Sequence, residues 1–90
     1  MHRLYDPIKT AINEGRIEEA LHMAEAALHT APDASLYYLC GNAYAKTGRR
    51  REAMNAYLKA EAIDPDSPAA EARQLLERIQ NFYHRDLYNP

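Results

Sequence analysis

Valine is absent from these 90 residues, and Ile and Thr together number only eight. Residues branched at Cβ are the ones a pleated sheet packs best, so a sheet architecture is excluded, while sixteen alanines favour helix. Cysteine occurs once, as Cys40, which rules out an internal disulfide. Residues 1–10 lack the apolar stretch of a signal peptide, so the expected location is cytoplasmic. Long hydrophobic runs are missing too. The longest, residues 36–40, falls far short of the ~18 residues a membrane span needs, and no membrane anchor is expected. Charge of one sign is not in excess: eleven basic against thirteen acidic residues give a formal net charge of -2, unsuited to a mainly electrostatic nucleic-acid binder. Size is short as well. A chain of this length buries roughly 60 to 65% of its unfolded surface, leaving a thin core with little room for an enclosed active site.

What is present is a repeat. Gly15, Glu19, Ala20, Ala27, Pro32 and Asp33 recur 33 residues later as Gly48, Glu52, Ala53, Ala60, Pro65 and Asp66. The matched glycines, prolines and aspartates sit at punctuation points, so the period marks a structural unit. Between them the apolar spacing is helical. Ile17, Ala20, Leu21, Ala24, Ala27 and Leu28 share one face of a helix over 17–29, with Glu18, Glu19, His22 and Glu25 opposite. Leu36, Tyr37, Cys40, Gly41 and Tyr44 predict a second helix over 34–47, stopped by Gly48. Ala53, Tyr57, Leu58 and Ala60 predict a third over 50–63.

The ends differ from the middle. Asp6 and Pro7 read as a helix start, predicting a short first helix over 7–14. Ser67 and Pro68 repeat that signal ahead of an apolar stripe of Ala72, Leu75, Leu76, Ile79, Phe82 and Tyr83, which reaches about residue 84. Glu71, Arg73, Gln74, Glu77, Arg78 and Asn81 form its polar back, as suits a helix that shields a repeat stack from water.

Tyr37, Cys40, Gly41, Tyr44, Ala53, Tyr57, Ala60 and Pro65 fall at the spacings that make residues 34–66 resemble the tetratricopeptide repeat, a helix-turn-helix unit of about 34 residues. Gly41 and Ala53 permit close helix contact, the three tyrosines fill the gaps, and Pro65 ends the second helix. Residues 1–33 look like a degenerate first copy, with Pro7 and Ile8 where Leu and Gly stand in the family pattern; Arg50 replaces a frequent aromatic. The resemblance implies an all-α superhelix of five helices in a single domain. It would comprise a degenerate repeat over 1–33, a second repeat over 34–66, a capping helix over 67–85 and a tail over 86–90, similar to small stand-alone two-repeat bacterial proteins.

The family usually binds a peptide or partner helix on its concave face. Carried over by position, the resemblance assigns Tyr5, Lys9, Ile12 and Asn13, then Ser35, Tyr38, Asn42, Ala45 and Lys46, to that groove, and each set also keeps one helical stripe. Asn42 is the sharpest candidate, since its amide can both donate and accept. Leu76, Ile79 and Tyr38 supply an apolar floor, although core packing is the stronger assignment for Leu76 and Ile79. Lys9 with Asn42 resembles an incomplete carboxylate clamp. A second reading is self-association, a homodimer formed through Phe82, Tyr83, Leu87 and Tyr88, against the plainer one of a tail folded on its own chain. RNA contact by Lys46, Arg49, Arg50 and Arg51 ranks last.

No chemistry is expected. The histidines lack metal-ligand spacing, and Cys40 in its packing slot reads as an inert thiol. No phosphate loop, hydrolase elbow or paired catalytic carboxylates can be identified, so the chain reads as a scaffold for protein–protein interaction, with no enzyme activity, cofactor or metal.

Overall fold

The structure, a computed structural model, describes the backbone of residues 2–88 and the side chains of residues 4–79. Five helices follow one another: α1 (His2–Asn13), α2 (Ile17–Leu28), α3 (Ala34–Lys46), α4 (Arg50–Ile63) and α5 (Ala69–Tyr88). No strand occurs among the described residues. The helices stand in a row, each packed on the next, and α1 also touches α3. The outline of 48 × 28 × 17 Å is that of a short solenoid.

The repeat seen in the sequence is reproduced at the backbone. α1 ends with the amide of Gly15 donating to Ile12 and that of Arg16 to Ala11; α3 ends with Gly48 donating to Ala45 and Arg49 to Tyr44. Both glycines are left-handed, at φ 83° and 78°, so each stop is a Schellman motif with glycine where a Cβ would be strained. The arginine after each glycine has no capping side chain of its own. It binds a glutamate three residues on instead, Arg16 to Glu19 and Arg49 to Glu52.

Two apolar clusters make the core. Ile8, Ala11 and Ile12 of α1 meet Ile17, Ala20, Leu21 and Ala24 of α2 and Leu36, Leu39, Cys40 and Ala43 of α3. Ala53, Tyr57 and Ala60 of α4 pack with Ala69, against half-buried Tyr37, Tyr38, Tyr44 and Leu76. Alanine at the crossings is what lets the helices approach closely enough for the few large side chains to fill the space.

Three expectations need correction. The first helix starts at His2, not at Pro7, which lies inside it. Proline there forgoes one backbone bond, but the preceding turn is tied down from outside: the Tyr5 hydroxyl donates to Asp33 Oδ2 at 2.7 Å. The last helix continues past residue 84 to Tyr88, through the start of the expected tail. Arg73, assigned to the polar back, is half-buried and reaches α4, where its Nη2 donates to Glu61 Oε1 at 3.2 Å and its Nε to Oε2.

Candidate functional site

α1, α3 and α5 line one concave face. Between α1 and α3 lies a cleft of about 340 Å³ formed by Lys9, Ile12, Asn13, Tyr38, Leu39 and Asn42. Beside it lies a wider open cleft of about 740 Å³, where Tyr38, Asn42, Ala45 and Tyr57 face Ala72, Leu75, Leu76 and Ile79 of α5. Tyr38 and Asn42 line both, so the two clefts adjoin at these side chains.

The middle of this groove is held from behind. Gly41 has no side chain, and the Tyr57 ring occupies the space a Cβ would need, at 2.3 Å from Cε1. Tyr57 is buried, its ring 6.0 Å from that of Tyr38, and its hydroxyl donates to Asn42 Oδ1 at 2.7 Å. With that oxygen engaged, the groove is left with the amide's N–H donors. Burial, with a smaller contribution from Tyr38, pushes the Tyr57 phenol up to about 12.

Of the seven polar and aromatic residues assigned to the groove, Lys9, Asn13, Tyr38 and Asn42 line it together. The other three line neither cleft. Tyr5 is bound to Asp33, whose Oδ1 also caps α3 by accepting from the Leu36 amide at 3.1 Å; that bond raises the Tyr5 phenol above its ordinary value. Ser35 is exposed beside that cap. Lys46 donates its ammonium to the carbonyls of Ile12 at 2.9 Å and Asn13 at 3.4 Å, capping the end of α1.

Leu76 is half-buried against α4, whereas Leu75 and Ile79 are 53% and 38% exposed on the groove wall. Leu75, Glu71, Arg50 and Arg78 also line the wide cleft and were not assigned to it from the sequence. Periodicity gave the stripe of α5 but not which neighbour the stripe leaves uncovered. The side chains of Phe82, Tyr83, Leu87 and Tyr88 lie outside the described residues.

The basic corner is largely spoken for. Lys46 serves α1, while Arg49 binds Glu52 at 2.6 Å, approaches Glu18 at 3.6 Å and stacks 4.8 Å over the Tyr44 ring. On the convex face Cys40 and the rings of Tyr37 and Tyr44 line a smaller cleft of about 290 Å³. Burial pushes the Cys40 thiol up to about 11, the opposite of what a nucleophile requires. Among the described residues no three His, Cys, Asp or Glu side chains converge as a metal site would require, and no helix is long and apolar enough to cross a membrane.

The tetratricopeptide-repeat family model matches residues 34–67. The solution structure of the Bacteroides fragilis protein BF1650 superposes with a TM-score of 0.88, at 46% identity over 99% of this chain and 91% of that one. No curated protein matches the chain. A repeat unit read by the family model at the best-formed helix pair, and a solved relative nearly half identical from end to end, lead to one conclusion: the chain belongs to the tetratricopeptide-repeat family.

Proposed function

We propose that this protein is an interaction module that holds an extended peptide or a partner helix in the concave groove, with Tyr38 and Asn42 at its centre and Lys9 and Asn13 at one end. The observation that carries the reading is that these two residues line both of the adjoining clefts. Tyr38 offers a half-exposed ring at little conformational cost. Asn42 offers N–H donors held in one orientation by Tyr57, suited to carbonyl oxygens along a peptide backbone. Ala72, Leu76 and Ile79 supply an apolar wall for a hydrophobic side chain. Residues 1–33 serve as a degenerate first repeat that contributes α1 to the groove, and α5 closes the stack as its cap.

The test is selection of displayed random peptides on the full chain, followed by nuclear magnetic resonance mapping of the bound peptide. Shift changes should centre on Lys9, Tyr38, Asn42 and Ile79, and Tyr38→Ala should weaken the selected peptide about tenfold or more with an unchanged circular dichroism spectrum. Peptides that map to the convex face, or that bind the Tyr38→Ala protein equally well, would overturn the proposal.

A further inference from the structure

Glu71, Leu75 and Arg78 are exposed and fall at helical intervals of four and three residues, so they form one stripe along α5. The side of α5 that carries Ala69, Ala72, Arg73 and Leu76 is the one packed toward α4. These three side chains border the wide cleft on its α5 side, and their exposure leaves them open to a partner. Arg16, Arg49 and Arg73 each hold a glutamate, whereas Glu71 and Arg78 have no partner of opposite charge among the described residues. Nor can they pair with each other, being seven residues and so about 10 Å apart along the axis.

The order acid, apolar, base has a property of its own: reversed end for end, it is the complement of itself. We propose that this stripe is the seam of a symmetric homodimer, in which α5 of one copy packs antiparallel on α5 of a second about a twofold axis between Gln74 and Leu75. That register sets Glu71 of each copy opposite Arg78 of the other, giving two equivalent ion pairs around a centre where each Leu75 meets Gln74 of the second copy. An unrelated partner would need an acid and a base at matching spacing by coincidence, whereas a second copy carries them by construction. Leu75, at 53% exposure, is among the most exposed large apolar side chains of the chain. Water leaves it when the seam closes, which adds the non-directional part of the attraction. One pair of helix stripes buries well under the ~1,200 Å² of tight complexes, so the dimer exchanges readily and fills only at high concentration.

The seam shares the α5 wall of the wide cleft with the groove reading, but its test contains no peptide, so the two can fail separately. Sedimentation equilibrium of the full chain over a series reaching millimolar should give a monomer–dimer constant that weakens as salt is raised. Glu71→Arg and Arg78→Glu, each facing like charges in its own homodimer, should each weaken association about tenfold or more. Mixed in equal amounts, the two variants should associate at least as well as the original protein, since every pair between them is then of opposite sign. Circular dichroism of each variant confirms that helix content is kept. A strict monomer at millimolar concentration, single variants that associate as the original does, or a mixture that stays monomeric would each overturn the proposal.

Discussion

Gly41 and Tyr57 share one volume: a Cβ added to the glycine would lie 2.3 Å from Cε1 and 2.4 Å from Cδ1 of the ring. The ring is buried and cannot move aside without leaving the core. Gly41→Ala is therefore expected to destabilise the fold by about 1 to 3 kcal/mol through overpacking, even though alanine in a helix interior would otherwise gain about 1 kcal/mol over glycine. Urea unfolding of the two proteins gives the sign directly, and a more stable alanine variant would contradict the packing described here.

Tyr57→Phe keeps the ring and removes the hydroxyl that binds Asn42. The expected loss is about 1 kcal/mol, the usual net worth of one hydrogen bond. The variant should also change the alkaline limb of the stability curve. Because the folded phenol lies at about 12 and the ordinary value is 10.0, folding favours the protonated form. The stabilisation is complete below pH 10 and is lost as pH rises from 10 through 12. Tyr5 and Tyr44 are shifted the same way and add to the effect. Thermal unfolding between pH 8 and 12 should fall less steeply for Tyr57→Phe than for the original protein.

Gly15 and Gly48 both lie at positive φ with open space where a Cβ would be. Alanine at either position meets no clash, so the cost is purely that of the left-handed backbone, about 1 to 2 kcal/mol at each site. Near-equal losses in denaturant unfolding are expected, because the two helix stops share one hydrogen-bond pattern.

Cys40 should be almost unreactive in the folded state. A thiol at about 11 is on the order of one part in a thousand thiolate at pH 8, and its burial further restricts access. Aromatic disulfide reagents should label it slowly at neutral pH and rapidly in denaturant. Fast labelling of the folded protein would place the side chain elsewhere.

Lys46 caps α1 across the helix pair boundary, through the carbonyls of Ile12 and Asn13. Lys46→Ala should cost up to about 1 kcal/mol and leave capture of a groove peptide unchanged. A variant of full stability that loses the peptide would return Lys46 to the ligand.

The sequence by itself determined where the first four helices stop and how the units repeat, because a glycine that must adopt positive φ, or a proline that cannot continue a helix, acts on its own backbone. The placement of Gly15, Gly48, Pro32 and Pro65 in the sequence carries that information without reference to any neighbour. It also determined that Gly41 and Tyr57 belong to a packed interface, since their spacing carries the family pattern. Tertiary structure alone decided the rest. The turn before Pro7 is tied down by the bond from Tyr5 to an aspartate 28 residues away; Lys46 is a cap because α1 ends beside it, 34 residues back; Arg73 leaves the solvent face for Glu61, 12 residues before it. Periodicity assigns a side chain to a face, but a long side chain ends several ångströms from its own helix, where the folded neighbours set its partner.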